Sequence, residues 1–196
     1  MRLGILGGTF NPIHLGHLVL AESARQQCRL DRVWFMPTAH PPHKSSRGVL
    51  PGTVRLQMVR LAVKGRAAFV ASDLELRLGG ISYTVNTVRA LRAKFPRAEL
   101  FLIVGADMLR VPWRGMDELA RECTFVAAGR ESASGDAAPS VRTPGATRVT
   151  RITMPRLDLS SSIVRQRVRQ GLSIRYLVPD AVARYISRHG LYRRAS

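Results

Sequence analysis

The chain has 196 residues, of which 45% are hydrophobic, so it is long enough to bury the core of one domain and is not disordered as a whole. Its formal net charge of +18 favours anionic partners, such as nucleic acid, an acidic membrane surface or a phosphorylated small molecule. The two cysteines, Cys28 and Cys123, are far apart and have no Cys-x-x-Cys pattern, which argues against a structural zinc site and against a disulfide framework.

The basic residues are mostly arginines spread along the whole chain, and only Lys44, Lys64 and Lys94 are lysines. This spread favours a general compositional bias over a nucleic-acid-binding surface, because no compact basic block stands out. No apolar run approaches the roughly 18 residues of a membrane span, and the first residues lack the apolar run of a secretory signal. We therefore expect a cytoplasmic protein with a single domain, residues 1–196, that binds neither nucleic acid nor a membrane.

Short β-prone apolar runs alternate with helical patterns. In chain order the sequence predicts a strand at residues 2–6, a helix at 17–28, a strand at 32–37, a helix at 53–63, a strand at 68–72, a helix at 84–95, strands at 99–107, 123–129 and 149–155, and helices at 160–171 and 179–190. Residues 38–52 and 129–148 are predicted loops. The alternation is typical of an α/β protein whose parallel sheet has helices on both faces. Such a sheet binds ligands at the carboxyl ends of its strands, so the loops after residues 6, 36, 104 and 154 should share one edge.

The stretch GGTFNPIHLGH, residues 7–17, joins the first predicted strand to the first helix. It has neither the Gly-Lys-Ser/Thr ending of a P-loop nor the Gly-x-Gly-x-x-Gly pattern. It nevertheless occupies a strand-to-helix turn, where backbone N–H groups and the helix N-terminus attract phosphate. Gly7 and Gly8 would let the backbone approach an anion, and His14 and His17 are spaced to donate to the same ligand. Two surface histidines near a helix start are the alternative.

This stretch resembles the signature of the nucleotidyltransferase superfamily, whose His-x-Gly-His motif binds the triphosphate of ATP, and more closely that of the bacterial nicotinate-nucleotide adenylyltransferases. The resemblance implies a Rossmann-like nucleotidyltransferase fold with five to six parallel strands flanked by helices. It also implies an ATP site that includes Gly7, Gly8, Thr9, Phe10, His14 and His17. The family usually has Asp where this chain has Asn11, and because Asn is a neutral isostere we expect the turn to survive.

The stretch PTAHPPHK, residues 37–44, is a proline-stiffened loop that presents His43 and Lys44 at the carboxyl end of a predicted strand. Lysine is a compact phosphate-binding charge, although a solvated loop lysine is an equal alternative from the residues alone. The family carries Pro-Pro-His-Lys in this loop, so the resemblance implies that Lys44 contacts the phosphates of ATP.

Ser82, Tyr83 and Thr84 offer three hydroxyls immediately before a predicted helix. From the residues alone, Thr84 is predicted to cap that helix. The family has Ser-Tyr-Thr at this place, so the resemblance implies that Ser82, Tyr83 and Thr84 meet the nicotinate end of the substrate.

The buried strand LIVGAD ends in Gly105 and Asp107, which puts a carboxylate at the binding edge, where it would accept from a ribose hydroxyl or from the adenine amine. From the residues alone, Trp113 could instead pack in the core, as most tryptophans do. The family strand also ends Gly-x-Asp and is followed by an aromatic residue that stacks on the pyridine ring. The resemblance therefore implies ATP contacts for Gly105 and Asp107 and substrate contacts for Trp113. Arg130 is assigned to the acidic end of the substrate, although the family continues Arg-Pro-Gly where this chain has Arg-Glu-Ser.

The stretch LDLSSSIVRQRV, residues 157–168, places Ser160, Ser161 and Ser162 at a helix start and Arg165 one turn later. Hydroxyls and free N–H groups at a helix start bind anions, whereas a serine N-cap with a solvent-facing arginine is the alternative. The family has Ile-Ser-Ser-Thr-x-x-Arg here, so the resemblance implies that Ser161, Ser162 and Arg165 contact ATP.

These motifs run from residue 7 to residue 165 in family order, and ISRHGLY, residues 186–192, resembles the family's C-terminal end. The resemblance implies transfer of AMP from ATP to nicotinate mononucleotide, with Mg²⁺ bound to ATP and with His14, His17, Lys44 and Arg165 as catalytic groups. One alternative keeps the fold but takes nicotinamide mononucleotide or phosphopantetheine as acceptor. Another is a non-enzymatic, basic nucleic-acid-binding domain. The sequence leaves open whether the chain forms a homo-oligomer.

Overall fold

The computed structural model describes residues 1–40, 48–105, 108, 112–130 and 148–193, with the backbone alone at residues 129–130. Within these residues, six parallel strands form one sheet in the spatial order 3-2-1-4-5-6. The strands are β1 (Arg2–Gly8), β2 (Arg32–Pro37), β3 (Phe69–Ala71), β4 (Glu99–Gly105), β5 (Cys123–Arg130) and β6 (Val149–Met154). Because every strand pair is parallel, the carboxyl ends of all six strands lie at one edge, and the predicted α/β architecture is confirmed.

The described helices follow the predicted alternation with two additions. They are α1 (Leu15–Gln27), α2 (Gly52–Val63), α3 (Leu74–Leu78), α4 (Thr84–Lys94), α5 (Met116–Glu122), α6 (Ser161–Arg169) and α7 (Asp180–Arg188). The sequence did not predict α3 and α5, because five and seven residues are too short to show a helical period. None of the described helices is long and apolar enough to cross a membrane.

The first strand is longer than its apolar run predicts. Gly7 pairs with Met36 and Gly8 pairs with Pro37, so both glycines belong to β1 rather than to the turn in which the sequence places them. Glycine lowers the stability of a strand, but here the parallel pairing with β2 continues through both glycines and keeps them in β1. The connection to α1 is therefore short; we call residues 9–14 the first turn.

Alternate residues of β4 show how the sheet divides the core into two layers. Phe101 and Ile103 pack on one face, in a cluster that includes residues of α1, α2, α6 and α7. Leu100, Leu102 and Val104 pack on the other face, with residues of α4 and α5. Since both faces are covered, the strand is a continuous apolar run, as expected for a parallel sheet.

The order of the strands reverses between β1 and β4, which are neighbours in the sheet. Pairing of β1 with β2 continues to Gly8 and Pro37, whereas pairing of β1 with β4 ends at Ile5 and Leu102. The last three residues of β1 and of β4 therefore separate from each other. This separation forms a crevice at the carboxyl edge, which is where an open parallel sheet of this order binds its ligand.

Replacing Phe125 tests the second core layer. Its side chain is fully buried, and Phe125→Ala should lower the free energy of unfolding by about 3–5 kcal/mol through lost apolar contacts and a residual cavity. Thr150→Ala, on an exposed position of β6, is the matched control and should change stability by less than about 0.5 kcal/mol. Denaturant titration measures both. Equal effects of the two substitutions would contradict the assignment of Phe125 to the core.

Candidate active site

The end of β1 and the start of the first turn are held by donors from two other segments. The Thr38 backbone N–H donates to the Gly8 carbonyl at 3.0 Å. The Arg55 guanidinium donates through Nη1 to the Thr9 carbonyl at 2.8 Å. These bonds connect the first turn to the end of β2 and to α2.

The second half of the first turn is held by α6. Arg165 donates through Nη1 to the Asn11 carbonyl at 2.8 Å, and the Ser161 hydroxyl donates to the Pro12 carbonyl, also at 2.8 Å. Together with the bonds to Gly8 and Thr9, four main-chain carbonyls at this place accept from the protein itself. Since carbonyl oxygens repel phosphate, a turn whose carbonyls are drawn into the protein is better suited to present N–H groups to an anion.

Phe10 supports the first turn from the interior. Its backbone lies in the left-handed region with a φ of 46°, and its ring is 1% exposed. The ring meets His17 edge-on at 5.0 Å between centroids and lies 6.1 Å from the Phe35 ring. A Cβ atom at Gly8 would lie 3.1 Å from the Phe10 ring, so a side chain there would push the ring by a few tenths of an ångström. Phe10 can therefore meet a ligand only through its backbone.

The two histidines of the first turn lie together at the start of α1. His14 is the N-cap residue, and its ring stacks on the ring of His17 with 3.7 Å between centroids. The His14 backbone N–H donates to Nδ1 of His17 at 3.2 Å. Because Nδ1 of His17 accepts, the proton of a neutral His17 ring lies on Nε2. The two rings therefore lie side by side, and their shared role in binding a ligand stays a prediction.

His14 is the more buried of the pair. Its side chain is 7% exposed, and burial lowers its pKa from 6.5 to about 4, so the ring is neutral at physiological pH. Nδ1 of His14 is buried and has no hydrogen-bond partner within the described part of the chain. A Cβ atom at Gly16 would lie 3.1 Å from this ring, which gives the glycine of the His-x-Gly-His motif a steric reason.

The start of α6 separates the roles of the three serines. Ser160 is the N-cap, and its hydroxyl accepts from the Ile163 N–H at 3.2 Å, as the capping alternative predicts. Ser161 donates to the first turn, and Ser162 accepts from Nη2 of Arg165 at 3.1 Å. The guanidinium of Arg165 has five N–H donors, and these bonds use two of them. Arg165 and Ser161 thus lie against the first turn, 149 or more residues away in sequence.

The 82–84 segment leads into α4 at the end of β2. The Ser82 hydroxyl accepts from the Ala39 N–H at 2.8 Å, and the Arg114 guanidinium covers the Tyr83 ring at 4.5 Å. The prediction that Thr84 caps α4 is wrong: Tyr83 is the N-cap residue and makes no side-chain cap bond, while Thr84 is the first helical residue. The threonine is one position too late, so its hydroxyl cannot take the N-cap geometry.

On the β4 side of the crevice, Gly105 is the last residue of β4 and pairs with Ala128. Trp113 is half-buried, donates from Nε1 to the Met108 carbonyl at 2.9 Å and meets Phe125 edge-on. The structure thus places the Trp113 side chain against the core, as the core-packing alternative predicts. The residue lies at the margin of the site. Lys44 and Asp107 lie outside the described residues, and Arg130 is described only as the last residue of β5.

The sequence did not predict two buried charged residues near the site. Arg55 is 1% exposed and donates to the Leu50 carbonyl at 2.8 Å and to the Thr38 carbonyl at 2.7 Å, besides Thr9. Glu75 is 6% exposed, accepts from the Thr87 hydroxyl at 2.8 Å and has its pKa raised by burial. The sequence did hold a signal for Arg55: it stands three and four residues before Met58 and Val59, which face the core, so it shares their side of α2.

Comparison with known proteins places the chain in a class. The family model of cytidylyltransferase-like proteins matches residues 5–167, and the chain belongs to this family of nucleotidyltransferases. A protein of Synechococcus sp. (strain JA-3-3Ab) is 46% identical, over 97% of this chain and 94% of its own length. One of Shouchella clausii (strain KSM-K16) is 40% identical, over 97% and 96%. Both are named "Probable nicotinate-nucleotide adenylyltransferase". Within the class, the chain belongs to the nicotinate-nucleotide adenylyltransferase family.

Solved structures agree on the fold. The Plasmodium falciparum nicotinic acid mononucleotide adenylyltransferase complexed with NaAD has a TM-score of 0.79 at 18% identity, with 97% of each chain covered. The complex of the same enzyme with APC has a TM-score of 0.76 at 17% identity, with 97% of this chain and 96% of that chain covered. The expected nucleotidyltransferase fold is therefore confirmed.

The depressed pKa of His14 predicts a loss of stability in acid. The folded protein keeps the ring neutral down to about pH 4, whereas the unfolded chain binds a proton near pH 6.5. Stability contributed by the neutral ring is lost as the pH falls through this window. Between pH 7 and pH 5 the wild-type free energy of unfolding should fall by about 2 kcal/mol more than that of His14→Asn. Denaturant titrations at both pH values measure this difference, and parallel losses in the two proteins would contradict the buried, neutral ring.

Proposed function

We propose that the protein transfers an adenylyl group from ATP to nicotinate mononucleotide, which gives nicotinate adenine dinucleotide and pyrophosphate. Relatives at 40–46% identity over nearly the whole chain support this reaction, since their printed names state it. The structural observation that carries the proposal is the first turn itself. It stands at the crevice between β1 and β4, its carbonyls are bonded to the protein, and the stacked rings of His14 and His17 lie at its end.

The reaction needs no covalent enzyme intermediate. An oxygen of the mononucleotide's 5′-phosphate attacks the α-phosphorus of ATP in line, the new P–O bond forms, and the bond from the α-phosphorus to the bridging oxygen breaks to release pyrophosphate. The contribution of the protein is to hold the two phosphates in line and to neutralise the charge that develops on the leaving group. Cys28 and Cys123, the two thiols of the chain, are both buried and have raised pKa values, so neither is an activated nucleophile.

The triphosphate would lie on the first turn and the start of α6. We assign His14, His17, Lys44 and Arg165 as catalytic groups that contact the triphosphate. The backbone of Gly7, Gly8, Thr9 and Phe10 would lie close to the triphosphate. The stacked imidazoles support this assignment, because the neutral His14 ring can donate a hydrogen bond without adding a buried charge. Gly105, Asp107, Ser161 and Ser162 complete the proposed ATP site.

The mononucleotide would occupy the β2 and β4 side of the crevice. We assign Ser82, Tyr83, Thr84, Trp113 and Arg130 to its binding. The hydrogen bond from the Ala39 N–H to Ser82 supports this place, since it holds the 82–84 segment at the carboxyl end of β2, beside the first turn. The Tyr83 ring and the half-buried Trp113 supply the aromatic surface that a pyridine ring would need.

Mg²⁺ would bind together with ATP. The described side chains around the first turn are mainly hydrogen-bond donors, which suit phosphate oxygens, whereas Mg²⁺ prefers oxygen ligands. The phosphates of ATP would therefore supply its ligands, and when bound the ion would neutralise charge on the pyrophosphate.

The acceptor is tested by pyrophosphate release with ATP, Mg²⁺ and one acceptor at a time. We expect the highest kcat/KM with nicotinate mononucleotide, lower values with nicotinamide mononucleotide and none with phosphopantetheine. Activity with phosphopantetheine alone would refute the proposed acceptor while leaving the nucleotidyltransferase chemistry intact.

His17→Ala tests the catalytic assignment. Loss of one preorganised donor to a developing charge costs about 10²- to 10³-fold in kcat, and we expect a loss of that order. His189→Ala is the matched control, because His189 is exposed at the end of α7 and its described contacts are with Tyr185 and Ser187 of the same helix, not with the first turn. Pyrophosphate release measures activity, and circular dichroism checks that both variants fold. A folded His17→Ala variant with turnover near that of the wild type would refute this role for His17.

A further inference from the structure

The C-terminal stretch ISRHGLY has no role in the reaction described above, yet it returns the chain to the first turn. Gly190 and Tyr192 both have positive φ values, 59° and 64°, which turn the chain sharply after α7. Such a conformation is uncommon for a residue with a bulky side chain. The Tyr192 hydroxyl donates to Oδ1 of Asn11 at 2.8 Å. The end of the described chain is thereby tied to the middle of the first turn, 181 residues earlier.

Asn11 joins four segments of the structure through hydrogen bonds. Its side chain is 4% exposed, Oδ1 accepts from Tyr192 and from the Leu50 N–H at 3.3 Å, and Nδ2 donates to the Gly48 carbonyl at 3.0 Å. Its backbone carbonyl accepts from Arg165 at 2.8 Å. The orientation of the Asn11 peptide, and with it the direction of Arg165, therefore depends on the partners of the Asn11 amide.

The chemistry of the pair supports a hydrogen bond with a fixed direction. Burial raises the pKa of Tyr192, although the Arg165 and Arg55 charges oppose the shift, so the phenol keeps its proton and donates. An amide oxygen with two donors, and an amide nitrogen with a carbonyl acceptor, leave the Asn11 side chain one orientation. The preorganisation of the first turn thus includes a residue from the far end of the chain.

We propose that Tyr192 is a positioning residue for ATP, which acts through Asn11 on the first turn and on Arg165. This inference rests on the proposed function, because it concerns the same phosphate site. Tyr192 itself would touch no reacting atom. Its loss should change the binding of ATP and leave the binding of nicotinate mononucleotide unchanged, since no described contact joins Tyr192 to the 82–84 segment.

The test compares Tyr192→Phe with Tyr176→Phe. Both remove one phenolic hydroxyl, but Tyr176 is 78% exposed and lies outside the site. We expect Tyr192→Phe to lower kcat/KM for ATP by about tenfold, the scale of one lost buried hydrogen bond, with kcat/KM for nicotinate mononucleotide at saturating ATP within about twofold of the wild type. Tyr176→Phe should match the wild type for both substrates.

A double-mutant cycle with Asn11→Ala tests whether Tyr192 acts through Asn11. In the Asn11→Ala background, Tyr192→Phe should add less than a twofold loss, because the interaction is already absent. Asn11→Asp keeps the Oδ1 acceptor and should keep the sensitivity to Tyr192→Phe. Should Asn11→Ala fail to fold, the Asn11→Asp background and the single variants still carry the test.

Three results would overturn the proposal: kcat/KM for ATP of Tyr192→Phe within twofold of the wild type, additive losses in the cycle, or equal losses for both substrates. Titration calorimetry with MgATP keeps this test separate from that of the proposed function. If the wild type turns over no acceptor, the proposed function fails, and the MgATP affinities of the same variants still decide whether Tyr192 positions the site.

Discussion

The hydrogen bonds that draw the carbonyls of the first turn into the protein are the interaction on which the site depends. A turn between a strand and a helix has both N–H donors and carbonyl acceptors. An anion can form hydrogen bonds only with the donors. Arg55 and Arg165 each use a guanidinium on a backbone oxygen of this turn, and Ser161 uses its hydroxyl. Because these oxygens already accept hydrogen bonds from the protein, they repel a phosphate less. The two arginines also bring positive charge close to the turn without an acidic partner at hydrogen-bond distance in the described residues.

These donors explain why we assign the triphosphate to one face of the sheet. α2, α6 and the segment after α7 all pack in the same core layer, and each sends a side chain to the first turn: Arg55, Arg165 and Tyr192. The other layer, with α4 and α5, supports the 82–84 segment and Trp113. The crevice between β1 and β4 lies between the two sets, so the sheet itself separates the proposed ATP and mononucleotide halves.

The sequence could predict what has a local pattern. The strand and helix periods led to the parallel sheet, and the spacing of His14 and His17 placed both rings at one turn. The strand order, the end of β1–β4 pairing and the carbonyls that accept from Arg55 have no local pattern, because they depend on contacts between distant segments. Glycine composition placed Gly7 and Gly8 in the turn, whereas pairing with β2 keeps them in the strand. Thr84 was predicted as a cap from its residue type, and a one-residue difference in the helix start removed that role.

The central claim is that the His17 ring is oriented with Nδ1 toward the His14 backbone, and a single measurement tests this orientation directly. Long-range ¹H–¹⁵N NMR of the imidazole nitrogens reports which nitrogen carries the proton, before and after addition of a nonhydrolysable ATP analogue with Mg²⁺. The structure predicts that Nδ1 of His17 is the unprotonated nitrogen in the free protein. When the analogue binds, we expect the Nε2–H signal to change its chemical shift, whereas Nδ1 keeps the chemical shift of an unprotonated nitrogen. A His17 ring protonated on Nδ1, or one whose nitrogen signals do not change when the analogue binds, would contradict the account.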